Sequence, residues 1–242
     1  MDTRIINASL AALFALFAIT ACDSNSTQSQ PAQAEKEAAV SEPPAAGAVV
    51  EEKAAAAEPE TMAFGRFVPE REDDFAWEND KVAFRVYGPS SSGKGQVSGV
   101  DAWLKKVPYS IIEKWYAGHQ EGISYHKDHG EGYDPFHVGD SRGVGGTAIW
   151  VDGVAWPAGK YDSYEVLESG GETVSFRLQY AWDTPLGAVT ESMSVTLALG
   201  VQLFRAESMF SLDGEPASLP IAIGLTTHDE KAQVSGNGEL GR

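Results

Sequence analysis

Four of the five histidines of the chain, at positions 119, 126, 129 and 137, fall within the thirty residues from Ala117 to Gly146. That stretch, AGHQEGISYHKDHGEGYDPFHVGDSRGVGG, also holds Tyr125, Asp128, Glu131, Tyr133, Asp134, Asp140, Ser141 and Arg142, with eight of the 25 glycines. Glycine lets a loop turn tightly and approach a ligand closely. Long irregular stretches inside a compact domain are uncommon and usually functional. These residue types allow three chemistries. Histidines titrate near neutrality and can move protons, as can a tyrosine set beside an arginine. His126, His129 and His137 with Asp134, or with Asp128, Glu131 or Asp140, supply enough nitrogen and oxygen donors for a divalent metal, although the His-x-x-His spacing matches no strong zinc signature and nothing in the sequence requires a cofactor. The third option is no chemistry at all: such side chains also cap loops and satisfy backbone groups.

Outside the loop the signals are weaker. In Trp77-Glu78-Asn79-Asp80, Glu78 or Asn79 either faces a ligand or shapes a turn. Arg85 alternates with apolar neighbours, on the face opposite Val86. Trp103, Trp115, Trp150, Trp156 and Trp182 suit a core, or a stack against sugar rings. Gly-Asp-Ser-Arg-Gly around Ser141 is not the nucleophile elbow of serine hydrolases.

The elements that must hold these residues read as strands. Val82, Phe84 and Val86 alternate with Ala83, Arg85 and Tyr87. Val174, Phe176, Leu178 and Tyr180 repeat the pattern, as do Met193, Val195, Leu197 and Leu199, and then Phe204, Ala206, Ser208, Phe210 and Leu212. Period-two alternation of β-branched and aromatic residues predicts half-buried strands. Turn signals such as Ser169-Gly170-Gly171 and Asp213-Gly214-Glu215-Pro216 separate them. Only Ser110 to Tyr116 offers one or two helical turns. The expected fold class is all-β, an antiparallel β-sandwich carrying a long Gly/His-rich loop.

Ahead of this body lie two other segments. Leu10 to Thr20 is an apolar run of signal-peptide length, ending in Ile19-Thr20-Ala21-Cys22, which resembles the lipobox of bacterial lipoproteins. The resemblance implies cleavage after residue 21 and acylation of Cys22, the one cysteine of the chain, hence a membrane anchor in the cell envelope, facing the periplasm or the cell surface. Residues 22–62 then form a disordered tether rich in Ala, Glu, Pro and Ser, with no aromatic residue. The sandwich domain is expected over 63–242. The formal net charge of −17 argues against nucleic acid as a partner, since phosphate binding needs a basic surface. A lone cysteine excludes an internal disulfide framework.

Several segments resemble a family of exported bacterial proteins known as domain of unknown function 4861. They are Phe75-Ala76-Trp77-Glu78-Asn79-Asp80, Ala83 to Pro89, Asp101-Ala102-Trp103-Leu104-Lys105, Tyr125 to Asp134 and Val138 to Gly143. Members tend to lie beside genes for degrading acidic polysaccharides. The resemblance, from about Phe64 to Asp229, implies a galactose-mutarotase-like sandwich that processes uronic-acid-containing oligosaccharides. Members usually continue past the position matching His228, so the domain is expected to be short for the family, and incomplete at its C-terminus.

For a uronate, β-elimination needs a cation on the carboxylate, a base for the adjacent proton and an acid for the leaving oxygen. Arg142 is the expected carboxylate partner, His129 or His137 the base and Tyr133 the acid, with His126, Tyr125, Arg85 and Glu78 binding substrate. The leaving group is a sugar in a lyase and hydroxide in a dehydratase. Hydrolysis by Glu131 and Asp134 is a rival reaction. A non-catalytic glycan-binding lipoprotein, or an accessory to a glycoside hydrolase, is the alternative from another class.

Overall fold

The computed structural model describes residues 60–91, 97–136, 138–227, 231 and 233. The expected signal peptide, Cys22, nearly all of the tether and His137 lie outside the described residues. In chain order the strands are β1 (Phe64–Val68), β2 (Asp74–Glu78), β3 (Val82–Val86), β4 (Asp101–Lys105), β5 (Gly132–Tyr133), β6 (Val144–Val151), β7 (Val154–Pro157), β8 (Ser163–Glu168), β9 (Thr173–Thr184), β10 (Gly187–Ala198), β11 (Arg205–Leu212), β12 (Glu215–Pro216) and β13 (Ile221–Leu225), with one helix, α1 (Ile112–Gln120), between β4 and β5. All named strand pairs are antiparallel. Sheet 1 is the meander β1-β2-β3-β4-β5, sheet 2 is β12-β11-β10-β9-β8, and a smaller sheet 3 is β13-β6-β7. The fold is all-β and sandwich-like, as the alternation predicts.

Sheet 1 has two covered faces, and this organises the molecule. Phe75, Trp77, Phe84 and Val86 point to sheet 2, where Phe176, Leu178, Val195 and Leu197 meet them in one buried cluster. The rings of Phe75 and Phe176 lie 4.3 Å apart and those of Trp77 and Phe176 5.0 Å apart. Each such side chain contributes about 1.5–3 kcal/mol on burial. The opposite face carries Ala76, Ala83 and Trp103, packed under α1 through Ile112, Trp115 and Tyr116 and under the following loop through Tyr125. Trp103 stacks on Trp115 at 5.6 Å and on Tyr125 at 5.0 Å.

All five residues of β3 are therefore buried. Alternation alone suggests one solvated face for this strand; the helix removes it. α1 begins where Glu78, fully buried on β2, accepts the backbone N–H groups of Ile111 and Ile112 at 2.9–3.0 Å and pairs with Lys105 at 2.6 Å. A carboxylate at a helix N-terminus satisfies orphan donors and complements the dipole. The helix runs on to Gln120, so the irregular stretch is shorter than the glycine count suggests. At Gly132 (φ +112°) a Cβ would come within 1.9 Å of the Leu104 carbonyl oxygen, so glycine is required for β5 to pair with β4.

Where the three sheets meet, Phe84, Leu104, Leu203, Phe210, Ile223 and Leu225 line an apolar trough of about 710 Å3. Among the described residues, no helix is long and apolar enough to cross a membrane.

Candidate functional site

The cross-strand register puts Arg85 beside Ala76 of β2 and Asp101 of β4, on the face that carries Trp103. Its guanidinium is buried and pairs with Asp101 through Nη2. Nη1 donates to the Tyr125 hydroxyl at 3.0 Å. Asp74 and Asp134 approach the same guanidinium at 3.7 and 3.6 Å, and the rings of Tyr87, Trp103 and Tyr125 surround it at 5.4–5.7 Å. One buried cation thus gathers three carboxylates and a phenol.

This arrangement shapes the charges. Burial pushes the Asp74 carboxyl up to about 6, against the pull of Arg85 and Arg71. Burial, then the neighbouring Asp101 charge, pushes Asp134 up to about 6 as well. Burial alone would lower the pKa of Arg85, but Asp101 and its other partners outweigh that and raise it well above the ordinary value. Asp74 Oδ2, Arg85 Nε, Asp101 Oδ1 and Asp134 Oδ2 are buried without a hydrogen-bond partner among the described residues. Their charges are met by the Arg85 ion pairs rather than by hydrogen bonds, and a buried network that shifts carboxyl groups in this way marks a candidate site.

The cluster reaches the surface at three side chains. Asp134 is tied to the loop by its N–H on the Tyr125 carbonyl (2.9 Å), and its Oδ1 accepts the Phe136 N–H. His126, its side chain 53% exposed, sets Nδ1 3.3 Å from the Asp134 carbonyl oxygen and 3.2 Å from Oδ2. The backbone carbonyl can only accept, so in the neutral ring the proton sits on Nδ1 and the Nε2 lone pair is free. His119, in the last turn of α1, packs on the other side of Tyr125: both imidazoles lie 4.6 Å from its ring. Burial, then the nearby charges of Arg71 and His126, lowers the His119 pKa. Arg71, its side chain 21% exposed, reaches Asp74 at 3.2 Å and lies over Tyr87. It precedes two left-handed non-glycine residues, Glu72 and Asp73 (φ 53° and 61°), a conformation that costs about 1–2 kcal/mol per residue and is held here by the surrounding fold. Arg71 is the fixed cation of the mouth, and inside three carboxylates face the one Arg85 guanidinium.

The sequence candidates separate cleanly. Arg85, Tyr125, His126 and Asp134 come together. His129 turns away, with Nε2 on the Ser124 carbonyl at 3.1 Å. It lines, with Tyr125, a cavity of about 450 Å3 beside α1. Tyr133 pairs with Leu104 and so projects from the face opposite Asp134. Arg142 donates to Ser98 Oγ (3.1 Å) and the Thr147 carbonyl (2.8 Å), near buried Glu191, which accepts from Thr147 and Ser208. The expected grouping of Arg142, Tyr133 and His129 is thus dispersed over separate parts of the domain: His129 lies in the loop before β5, Tyr133 on β5, and Arg142 in the turn that leads into β6. Glu78 is occupied by the start of α1 and by Lys105, leaving no face for a ligand. Glu131 is held by Tyr109, Lys114 and Trp115. Of the three metal candidates among the described residues only His126 and Asp134 meet, and among the described residues no three His, Cys, Asp or Glu groups gather closely enough to hold a metal ion.

Arg71, Asp74 and Asp101 did not stand out in the sequence. The available signal was parity: Asp74 and Asp101 share their strand face with Ala76 and Trp103, an unusual place for unpaired charge, and Arg85 on the intervening strand is their natural partner.

The family model described as "Domain of unknown function (DUF4861)" matches residues 2–241. Among curated proteins, "Uncharacterized protein P7" of Formosa agariphila is 44% identical over 188 residues, which cover 74% of this chain and 46% of the relative. The chain thus spans less than half of the length of that relative. No solved structure matches.

Proposed function

The chain belongs to the DUF4861 family, and from that premise we propose that it processes uronic-acid-containing oligosaccharides by β-elimination, with His126 as the proton-transfer group. The observation that carries this reading is the exposed His126 imidazole, whose Nδ1 rests on Asp134 while Nε2 makes no hydrogen bond to the described residues. The carboxylate behind it orients the ring and stabilises the imidazolium formed when Nε2 takes a proton, a logic shared by many histidine bases. Arg71, which like His126 lies against Tyr125, suits the substrate carboxylate, whose neutralisation acidifies the adjacent C–H. The C–H electron pair becomes the C=C bond and the C–O bond breaks. The imidazolium then returns its proton to the leaving oxygen on the same face, whether that oxygen departs as a sugar or as water. The apolar run and Cys22 extend the proposal to an exported lipoprotein, anchored by its acylated N-terminus and presenting the domain to acidic glycans at the cell envelope.

Elimination makes a conjugated uronate that absorbs in the near ultraviolet. Purified protein incubated with a broad panel of uronic oligosaccharides is expected to raise that absorbance on at least one of them. A flat trace across the panel counts against the proposal. A glycan-binding role without catalysis is favoured by one feature, the exposure of Trp150 (46%) and Trp156 (39%) on the β6–β7 hairpin. On that reading binding depends on these rings and survives loss of His126.

A further inference from the structure

The apolar trough takes its walls from all three sheets: Phe84 and Leu104 from sheet 1, Phe210 from β11, and Ile221, Ile223 and Leu225 from β13. Ile223, Leu225 and the neighbouring Leu203 are each more than half exposed. A continuous apolar surface of this kind marks a place where something else packs. The backbone around it is open as well. Among the described residues, β13 pairs with β6 alone, and on its outer side β11 is paired only at Ser211 and Leu212. Natural edge strands are usually guarded by charge or proline. β13 has a register shift between Ile223 and Leu225, but Ile221-Ala222-Ile223-Gly224-Leu225 contains neither guard.

An extended chain can pair with such edges while its alternate side chains fill the trough. A small apolar ligand fills the volume but leaves the edges unpaired. A second copy can pair an edge, but one trough does not fill an identical trough. The curated relative carries chain of the right extent: the matched 188 residues are 46% of it, so more than half of its length lies outside the match. We propose that the trough is a docking groove for an extended, alternately apolar β-segment, and that its occupant is chain of the kind the relative carries outside the matched residues. This surface is independent of the chemistry assigned to His126.

The full chain is co-expressed with the part of the Formosa agariphila relative that lies outside the match, as a separate tagged polypeptide. The two are expected to co-elute in equal amounts in size-exclusion chromatography. In the complex a hydrophobic dye no longer binds, and amide exchange across residues 221–225 slows, the sign of a newly paired edge. Ile223→Lys with Leu225→Lys abolishes co-elution at an unchanged melting temperature, whereas Val154→Lys, on β7 and outside the trough, leaves it intact. Failure to co-elute, a complex that tolerates the double substitution, or one in which dye binding and exchange at 221–225 are unchanged overturns the proposal. A chain that alone forms a dimer broken by the double substitution also overturns it, by making a second copy the occupant. So does a bound lipid that the double substitution releases, which makes the occupant a small molecule.

Discussion

Asp74 and Asp134 share a guanidinium with Asp101, and burial holds each of the two near 6 rather than near 4. A raised carboxyl binds its proton more tightly in the folded than in the unfolded chain. Its stabilising contribution is therefore present below about pH 4 and is lost as pH rises through about 6. Asp74 gives the cleaner test, because it does not touch His126. The melting temperature of the parent is expected to fall between pH 5 and pH 7, and Asp74→Asn should make that fall smaller. An unchanged slope would mean that Asp74 is not raised. At this scale the sequence revealed about half of the site. The glycine-rich loop singled out Tyr125, His126 and Asp134 by type and density, and alternation placed Arg85 on the correct face of β3. Arg142 and Tyr133 were misgrouped because closeness along a loop does not fix which face a side chain takes: Tyr133 and Asp134 are adjacent in sequence yet diverge across β5.

At the scale of elements, α1 turns an ordinary edge-exposed meander into a sheet buried on both faces, and Glu78 starts it. Replacing Glu78 with Ala leaves Lys105 unpaired and two helix donors unsatisfied. The expected cost is about 3–5 kcal/mol of stability by chemical denaturation, the range for breaking one side of a buried pair. Glu78→Gln keeps an acceptor for the Ile111 and Ile112 N–H groups and should cost less. Equal losses for the two variants would show that charge alone, not capping, is at work. The strands themselves were legible, because β9 alternates from Val174 to Tyr180 and β10 from Met193 to Leu197. The helix was only half legible. Its first turn carries Ile111, Ile112, Trp115 and Tyr116, but its last turn, Ala117 to Gln120, reads as the start of a glycine-rich loop. Its last turn is closed by the Ile123 N–H on the Gly118 carbonyl and by His119 packing on Tyr125 rather than by intrinsic propensity.

Across the whole molecule, two surfaces differ sharply in kind. The His126 mouth is polar, and the neighbouring cavity carries lysines and glutamates together in its lining. The trough where the three sheets meet is apolar, with Leu203, Ile223 and Leu225 strongly exposed. Exposed apolar patches of this extent attract other apolar surfaces. The protein is expected to bind a hydrophobic fluorescent dye at neutral pH, and Ile223→Lys with Leu225→Lys should reduce the signal without lowering the melting temperature; undiminished dye binding would place the apolar surface elsewhere. The proposed chemistry depends instead on the opposite side of sheet 1, where the buried Arg85–Asp network reaches the exposed His126 imidazole through Asp134. The most direct test compares His126→Ala with the parent on whichever uronic oligosaccharide gives the largest near-ultraviolet signal, measuring turnover and binding side by side. Loss of a positioned acid–base group should lower turnover by about 10²–10⁴-fold and leave the dissociation constant within a few-fold. Turnover retained in the variant, or binding and turnover lost together in a folded protein, would contradict the assignment of His126 as the proton-transfer group.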